Sequence, residues 1–250
     1  MGKKELERYS RQLHIPEWGE AQQKKLHTSR VTVVGAGGLG SLVLSYLTAA
    51  GVGHLHIVDN DSVSLSNLNR QVLYTEQDIG SDKAKRAAEK LSSLNSEVNI
   101  SGKTAKLNAE NAKTLLADSD VLVDCLDNYA ARFIMNKFAV FHQVPLIHAG
   151  IHGFNGQLTT ILPGTTPCLQ CIFAGFQEES RGGSDQKPPT PALGAVVGII
   201  GGLQALEAIK IITGIGELFT HRLLIFDGIN GTFDEMEIKR DENCEICGRE

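Results

Sequence analysis

The sequence predicts an α/β fold, with a Rossmann-like, doubly wound and mostly parallel sheet that antiparallel strands extend. Three observations predict it. Short apolar runs alternate with helical segments up to residue 150, a glycine cluster separates the first strand from its helix, and the alternation stops after residue 150. A chain of 250 residues can bury one large core, and we expect a single domain over residues 1–250.

The first half of the chain supplies the parallel part of the sheet. Residues 1–29 have helical composition, interrupted at Pro16, and predict an N-terminal helical arm. In residues 30–150, short apolar runs predict buried strands and runs of helix formers predict right-handed crossovers. The predicted order is strand 31–34, helix 39–50, strand 55–58, helix 81–95, strand 98–100, helix 108–117, strand 121–123, helix 129–142 and strand 145–149.

The pattern changes in residues 151–250. Residues 156–162 alternate between apolar and polar, which predicts an antiparallel strand, and the polar, Gly- and Pro-rich residues 175–191 predict a mobile loop. Residues 194–213 predict a buried helix despite their glycines, and residues 223–226 and 232–238 predict a closing hairpin. This half therefore extends the same sheet.

The bulk composition excludes several functional classes. A net charge of −5 argues against nucleic-acid binding through a basic surface. The apolar run at 192–200 is too short to span a bilayer, and the N-terminus lacks the apolar stretch of a signal peptide. We therefore expect a cytoplasmic protein that binds neither nucleic acid nor membranes.

A glycine-rich motif predicts a nucleotide site. Residues 35–40, GAGGLG, fit the G-x-G-x-x-G pattern between a predicted strand and a predicted helix, and Asp59 ends the next strand. Glycines allow the backbone to approach a phosphate, and the helix N-terminus favours an anion. An acidic residue at this position accepts hydrogen bonds from ribose hydroxyls. The motif indicates adenosine with phosphates and leaves NAD, FAD and ATP open.

Polar and cationic residues follow at positions where α/β sheets bind ligands. Residues 60–71 come directly after a predicted strand, and they include Arg70, whose guanidinium can fork onto phosphate oxygens. Lys83 lies in the first turn of a predicted helix, where a cation opposes the helix dipole, so it either meets an anion there or is an exposed surface lysine. Asp127 is either an oxygen ligand for magnesium or the N-cap of the helix that follows. Two cations and a carboxylate suit attack at phosphorus.

Four of the five cysteines form two Cys-x-x-Cys pairs, Cys168 with Cys171 and Cys244 with Cys247. In a reducing compartment this spacing indicates metal ligands before disulfides. Four thiolates fill a tetrahedral zinc site and leave no position for water, so the predicted fold includes a structural zinc site.

Taken together, these motifs resemble the MoeB/ThiF/HesA family, the bacterial relatives of ubiquitin-activating enzymes, over nearly the whole chain. The resemblance rests on both Cys-x-x-Cys pairs and on the segments RYSRQ (8–12), GAGGLG (35–40), SLSNLNRQ (64–71), DCLDN (124–128) and QALEAIK (204–210). It implies a homodimer that binds ATP and magnesium and adenylates the C-terminal glycine of a ubiquitin-fold sulfur-carrier protein ending in Gly-Gly. That reaction serves thiamin or molybdopterin biosynthesis.

The resemblance also implies roles for individual residues. Arg11 reaches the phosphates of the neighbouring subunit, Arg70 and Lys83 lie at the phosphates, and Asp127 supports magnesium. The nucleotide contacts that it implies, directly or as part of the same segments, are Gly35, Gly37, Gly38, Gly40, Asp59, Asp61, Asn67 and Gln71. Residues 30–150 form the nucleotide-binding half, and residues 151–250 form the carrier-binding and zinc half.

The chain departs from the family in one loop. Several relatives carry a further cysteine there that takes part in acyl or sulfur transfer, whereas residues 172–201 contain none and Thr190 stands in the corresponding region. Cys125 belongs to an apolar strand and is interpreted as a core residue. We therefore expect adenylation without an enzyme–carrier thioester, and a separate sulfur donor protein.

Three alternatives remain open at this point. The same glycine motif serves NAD-binding oxidoreductases. A degenerate relative would only hold the carrier, although Arg11, Arg70, Lys83 and Asp127 are all retained. A member of the family can also adenylate a substrate that is not a carrier.

Overall fold

The computed structural model describes residues 1–173 and 190–248, and within them the strands form one sheet. The strands are β1 (Arg30–Val34), β2 (His54–Asp59), β3 (Asn99–Thr104), β4 (Val121–Asp124), β5 (Leu146–His152), β6 (Asn155–Ile161), β7 (Arg222–Asp227) and β8 (Thr232–Glu237). The helices are α1 (Lys3–Arg8), α2 (Ser10–Leu13), α3 (Glu20–Thr28), α4 (Gly38–Ala50), α5 (Lys83–Leu94), α6 (Ala112–Leu116), α7 (Tyr129–His142) and α8 (Gly194–Thr213).

The sheet is parallel in its first half and antiparallel in its second. Its strand order is β3-β2-β1-β4-β5-β6-β7-β8. Strands β1 to β5 pair in parallel, whereas β6, β7 and β8 are added by antiparallel pairing. The predicted fold class is confirmed. The order reverses at β1, which lies between β2 and β4, and open α/β sheets bind ligands at such a point.

Two apolar layers cover the sheet. One cluster joins α4, α5 and α8 to the face that carries Val31 and Val33 of β1. The other joins α6 and α7 to the opposite face, which carries Val34 and Val58. Alternate residues of a strand point to opposite faces, so both sides of β1 are buried from residue 31 to residue 34.

The N-terminal arm packs at the C-terminal end of α4. Gly51 ends that helix with φ +88°, and a Cβ there would lie 2.5 Å from the Tyr9 hydroxyl. Tyr9 is buried and accepts a hydrogen bond from the amide of Asn95 at 2.9 Å, and Gln12 donates to the carbonyl of Ala50 at 3.2 Å. Because α4 has 13 residues and rises about 1.5 Å per residue, the arm lies about 20 Å from the glycine-rich motif.

Three predicted elements differ from the structure by three or more residues at one end. β3 runs past residue 100 to Thr104, because an edge strand pairs on one side only and its exposed positions need no apolar residues. The helix predicted at 108–117 shortens to α6, since Asn108 and Asn111 bond each other's backbone and side chain in a turn. β5 extends to His152 because it also pairs with β6.

The predicted loop 175–191 lies outside the described residues except for Thr190 and Pro191, which are exposed. The helix after it, α8, is long and apolar enough to cross a membrane, with a mean hydropathy of 1.8. In the structure α8 packs against α4 and the sheet and buries the polar residues Gln204 and Glu207. The apolar residues of α8 that face α4 and the sheet therefore belong to the core. In the most apolar window of the helix, 44% is buried.

A buried carboxylate fixes the segment between β2 and α5. Asp78 is fully buried and forms ion pairs with Arg86, at 2.5 Å, and Lys90. Burial alone raises a carboxyl pKa, but hydrogen bonds from Lys90, from the backbone and hydroxyl of Thr75, and from Arg86 together hold the pKa of Asp78 below its usual range. The pairs join residues 75–78 to the helix α5, on which a predicted site residue lies.

We predict that Asp78→Asn lowers the urea midpoint of unfolding at pH 7. The folded-state pKa of Asp78 lies below its unfolded value of about 4, so its contribution is complete above that pH and is lost as the pH falls through the folded value. Urea unfolding of both proteins from pH 7 to pH 3 measures this, and the difference should shrink below about pH 4. Asp234→Asn, at an exposed position on β8, is the control. A constant difference across this range would contradict the assignment.

Candidate functional site

The predicted site residues lie where three parallel strands end at one edge of the sheet. The glycine-rich motif follows β1, Asp59 ends β2, and Asp127 comes three residues after β4. Since β1 pairs in parallel with both β2 and β4, these carboxyl ends are neighbours. The structure thus brings the main candidates together at the point of strand reversal.

Two glycines of the motif are required by packing within the chain. Gly35 has φ +100°, and a Cβ there would lie 2.4 Å from the carbonyl oxygen of Cys125. A Cβ at Gly40 would lie 1.9 Å from the carbonyl oxygen of Gly35. Gly38 opens α4 and faces Val197 of α8, and a Cβ there would lie 2.9 Å from the Cγ1 of that valine. Close backbone packing therefore explains Gly35 and Gly40, and Gly37 and Gly38 border the open side.

Asp59 holds the glycine-rich motif and the next loop in place. Its carboxylate accepts hydrogen bonds from the backbone N–H of Ala36 at 2.7 Å and of Asp61 at 2.7 Å. Burial raises the pKa of Asp59, although both backbone hydrogen bonds and the charge of Lys83 act against that rise. Each carboxylate oxygen retains a lone pair, which suits a hydroxyl donor such as a ribose.

Lys83 is not the exposed surface lysine that its position in the sequence also allowed. It is 4% exposed, and its Nζ lies 3.0 Å from the carboxylate of Asp61, which is exposed. The backbone N–H of Lys83 also donates to the carbonyl of Asp61 at 3.0 Å. The cation in the first turn of α5 therefore has its anionic partner within the chain, and it lies beside Asp59. The carboxylate of Asp61, predicted to contact the nucleotide, faces Lys83.

The segment after β2 places three further candidates near the glycines. Arg70 is half-buried and donates from Nη1 to the carbonyl of Ser66 at 2.9 Å. Asn67 accepts from the N–H of Ser64 at 3.2 Å and belongs to a 3₁₀ turn. Gln71 is 4% exposed, its Oε1 has no hydrogen-bond partner, and its Nε2 would lie 3.4 Å from a Cβ added at Gly37. A buried amide with an unsatisfied oxygen next to the motif is suited to a bound ligand.

Of the two predicted roles of Asp127, the helix cap is wrong. The N-cap of α7 is Asn128, whose side chain accepts from the N–H of Ala131 at 3.0 Å. Asp127 is exposed and accepts a hydrogen bond from the amide of Asn128 at 3.4 Å. An exposed carboxylate at the carboxyl end of β4 remains available as an oxygen ligand.

The structure does not bring Arg11 to the site of its own chain. Arg11 is exposed on α2, in the arm at the C-terminal end of α4. The glycine-rich motif is at the other end of α4, about 20 Å away. Any contact between Arg11 and this site therefore requires a second copy of the chain.

Tyr74 is a site residue that the sequence analysis missed. Its buried hydroxyl donates to the carbonyls of Ala36, at 2.9 Å, and of Lys83, at 3.1 Å. Burial strongly raises the pKa of Tyr74, so the phenol is the donor at any physiological pH. Tyr74 thus links the glycine-rich motif to the start of α5. No local pattern marks it, because both of its partners are backbone atoms distant in sequence.

A buried polar group behind Asp127 was also missed. Asp124, Arg132 and His148 lie next to one another, each less than a tenth exposed. Arg132 and Asn136 are polar residues at helical spacing on the buried stripe of α7, and this was the signal available in the sequence. Cys125 is buried beside them, and burial raises the pKa of its thiol well above the usual value, consistent with a core residue.

The four paired cysteines converge as predicted. Their sulfur atoms all lie within 4.8 Å of one another, and the distances are 3.8 Å for Cys168–Cys244 and 3.4 Å for Cys171–Cys247. A disulfide needs about 2.05 Å between sulfurs, so these are free thiols. Sulfurs at about 2.3 Å from a tetrahedral zinc are about 3.8 Å apart, and the cluster fits that geometry.

The arrangement suits an anionic nucleotide. It has a helix N-terminus without a side-chain cap, glycines that leave the backbone accessible, the cation Lys83 paired with Asp61, Arg70 on the segment after β2, and carboxylates at the ends of β2 and β4. Such a site neutralises phosphate charge and holds a ribose. Among the histidines, His148 is buried against Asp124, and His152 is exposed at the end of β5.

Sequence comparisons identify the family to which the chain is similar. A model of the ThiF family matches residues 9–246. The chain is 39% identical over 244 residues to the SAMP-activating enzyme E1 of Haloferax volcanii, with 98% of this chain and 89% of that protein covered. It is 37% identical over 263 residues to the sulfur carrier protein adenylyltransferase of Thermus thermophilus, with 99% and 93% covered.

A solved structure with nucleotide is also similar. The crystal structure of Escherichia coli MccB with ATP superposes with a TM-score of 0.85 at 27% identity, covering 96% of this chain and 74% of that one. The similarity therefore extends over nearly the whole described fold, from the glycine-rich motif to the added antiparallel strands.

Proposed function

This chain belongs to the ThiF family, and we propose that it is an adenylyltransferase acting on a ubiquitin-like sulfur-carrier protein. It joins AMP from ATP to the C-terminal glycine carboxylate of the carrier and releases pyrophosphate. Two relatives with 37–39% identity carry names of that function. The single observation that carries the proposal is the buried Lys83, which pairs with Asp61 and whose backbone carbonyl shares the Tyr74 hydroxyl with Ala36 of the glycine-rich motif.

The chemistry requires a concentration of positive charge. A carboxylate is already ionised at neutral pH and needs no general base. Its attack on the α-phosphorus is opposed by repulsion between two anions, which cations at the phosphates reduce most strongly as charge develops in the transition state. In this proposal Lys83, Arg70 and the partner subunit's Arg11 supply the positive charge.

The remaining contacts hold the nucleotide. Asp59 accepts the ribose hydroxyls, and the uncapped N-terminus of α4 faces the phosphates. The Asp61 carboxylate pairs with Lys83. The unpaired side-chain oxygen of Gln71 accepts a hydrogen bond from the ligand. The other proposed nucleotide contacts are Gly35, Gly37, Gly38, Gly40 and Asn67.

We assign the metal of the nucleotide to Asp127. Its exposed carboxylate is an oxygen donor of the kind that magnesium prefers, and it is not consumed as a helix cap. Magnesium bound with ATP supplies neutralisation of the phosphate oxygens. Asp127 would hold that ion at the carboxyl end of β4.

The cysteine cluster is proposed as a structural zinc site. Cys168, Cys171, Cys244 and Cys247 supply four sulfur ligands and leave no open coordination position. The two pairs come from the residues after β6 and from the residues after β8. Zinc there joins the C-terminal segment to the start of the loop whose residues 174–189 are not described.

A homodimer accounts for an exposed apolar surface and for Arg11. Ile199 and Leu206 of α8 are 41% and 48% exposed, and Tyr46 of the adjacent α4 is 55% exposed. Leu203 lies between them at helical spacing and is half-buried. A second copy of the chain on this surface would cover these side chains. Its N-terminal arm, which carries Arg11, would then lie next to the first chain. This supports the assignment of Arg11 to the site of the neighbouring subunit.

The carrier is proposed to dock on the antiparallel strands of residues 151–250. The turns β5–β6 and β7–β8 lie at the same edge of the sheet as the glycine-rich motif, because Asn155 pairs with Asp227. Phe154, Ile229 and Phe233 there are 47%, 73% and 52% exposed. A carrier on this surface directs its Gly-Gly tail along the sheet edge toward the phosphates.

Sulfur comes from a separate donor protein, without an enzyme–carrier thioester. Cys125 is buried with a raised thiol pKa, and the four other cysteines converge on one cluster. Thr190 stands where several relatives of the family have a cysteine, and it is exposed. We place the reactions in the cytoplasm, where thiols stay reduced.

Adenylation of a substrate other than a carrier is the second candidate. MccB is structurally similar, but its 27% identity is lower than the 37–39% of the relatives named for carriers. A hydride-transfer enzyme is disfavoured because the cations at the site suit phosphorus chemistry.

We predict that the purified protein catalyses ATP–pyrophosphate exchange that depends on a Gly-Gly carrier. Asp127→Ala and Arg70→Ala should each lower the rate by at least about 100-fold, since they remove charge stabilisation of the transition state. Both residues are at the surface or half-buried, so the melting temperature should stay near the wild-type value.

Glu237→Ala, at an exposed position on β8, controls for the loss of a surface charge. Near-normal exchange in Asp127→Ala or Arg70→Ala would remove that residue from the mechanism. In the same reactions a carrier conjugate that excess thiol or hydroxylamine cleaves, traced to Cys125, would refute adenylation without a thioester.

We predict that Arg11→Ala and Asp127→Ala complement each other when mixed. In a mixed dimer one site has both residues, because Arg11 comes from one subunit and Asp127 from the other. After subunit exchange of equal amounts, about a quarter of the wild-type exchange activity should return. If Arg11 served its own chain, mixing would restore nothing, and a monomer in sedimentation analysis would also contradict the assignment.

We predict about one zinc ion per chain by elemental analysis. Cys247→Ser should lose the metal and lower the melting temperature, because structural zinc contributes directly to folding. Cys125→Ala should retain it. A wild-type chain that is purified under reducing conditions without zinc, or a Cys247→Ser chain that keeps it, would show that the cluster is not the site.

A further inference from the structure

Three buried side chains directly behind Asp127 take no part in the chemistry proposed above. Asp124 and His148 are fully buried, and Arg132 is 7% exposed. Burying charged groups is costly unless their partners compensate for lost water. Their contacts therefore indicate what this arrangement stabilises.

Arg132 connects two strands beyond the end of their pairing. The parallel ladder between β4 and β5 ends at Asp124 and His148. One step further along, Nη2 of Arg132 donates to the carbonyl of Leu126 and, at 3.1 Å, to the carbonyl of Ala149. Two carbonyl oxygens cannot bond each other, so the guanidinium supplies the donors that join the loop after β4 to β5.

Asp124 and its neighbours fix the same loop from other sides. Oδ1 of Asp124 accepts from the N–H of Leu126 at 3.0 Å, and Oδ2 lies 2.7 Å from Nδ1 of His148. Burial lowers the pKa of His148, although Asp124 opposes this, so a neutral imidazole donates its Nδ1 proton to the carboxylate. Gln204 of α8 donates to the carbonyl of Asp124 at 2.8 Å.

The nearby Asp127 has no comparable support for its side chain. It is exposed, and its one side-chain hydrogen bond among the described residues is the 3.4 Å contact with Asn128. The direction of its carboxylate is therefore set by the backbone between Leu126 and Asn128. That backbone is held by Arg132 on one side and by the cap of α7 on the other.

We propose that Arg132 is a positioning residue for adenylation. By holding the Leu126 carbonyl against Ala149, it fixes the backbone that aims the Asp127 carboxylate at the carboxyl end of β4. This inference rests on the proposed function for its effect on rate, whereas the effect on the backbone does not depend on it. The alternative role for Arg132 is only to compensate the buried charge of Asp124, without any effect on Asp127.

The test separates those two roles with a single and a double variant. Arg132→Leu removes both the connection and the charge partner of Asp124, so it should lower the melting temperature and lower kcat for pyrophosphate exchange by about 100-fold. Adding Asp124→Asn removes the unpaired buried carboxylate, so the melting temperature should recover. If Arg132 positions Asp127, kcat stays low in the double variant while KM for ATP is nearly unchanged.

Hydrogen exchange gives a readout that does not depend on catalysis. The backbone amides of residues 125–128 should exchange faster in both variants than in the wild type. Lys137→Leu removes an exposed cation from the same helix and is the matched control. It should change neither kcat nor the exchange rates of these amides. The proposal is overturned if kcat recovers together with the melting temperature, or if those amides keep wild-type protection in the double variant.

Failure of the proposed function has a different signature. A wild-type protein without carrier-dependent exchange would reject adenylation of the carrier. The exchange rates of amides 125–128 in the same variants would still decide whether Arg132 holds this backbone.

Discussion

The parallel pairing of β1 with both β2 and β4 is the constraint on which the rest of the structure depends. It brings three strand ends to one edge and leaves a crevice where the strand order reverses. Gly35 allows the chain to turn there, against the carbonyl of Cys125, because a side chain at that position would overlap β4's continuation. The polar residues of the site are then placed by the loops that leave these strands.

Charge in and behind this crevice is compensated in pairs. Lys83 is buried against Asp61, and Arg132 is buried against Asp124. Asp59 accepts hydrogen bonds from two backbone N–H groups within the chain. Such pairing lowers the cost of burying these charges, and charged groups already held in place favour electrostatic stabilisation of a transition state.

The two halves of the sheet carry different surface features at the same edge. The parallel half carries the glycine-rich motif and the cations, whereas the antiparallel half carries exposed aromatic side chains at the same edge. The cysteine cluster brings together the segments after β6 and β8 in the second half of the chain. A partner protein and a nucleotide can thus meet at one edge of one sheet.

The sequence by itself determined the fold class, the order of the elements and most of the candidate site, because these depend on local patterns. Apolar runs, the glycine spacing around Gly35 and the Cys-x-x-Cys pairs are all short-range signals. Only the tertiary structure decided that Lys83 is buried, that Asn128 rather than Asp127 caps α7, and that β3 continues through polar residues. Tyr74 bonds the carbonyl of Ala36 and Arg132 that of Ala149, both distant in sequence, and although the helical spacing of Arg132 marks it as buried, no local pattern names these acceptors. Burial and partner choice are properties of packing between distant segments, which is the physical reason that they appeared only once the chain was folded.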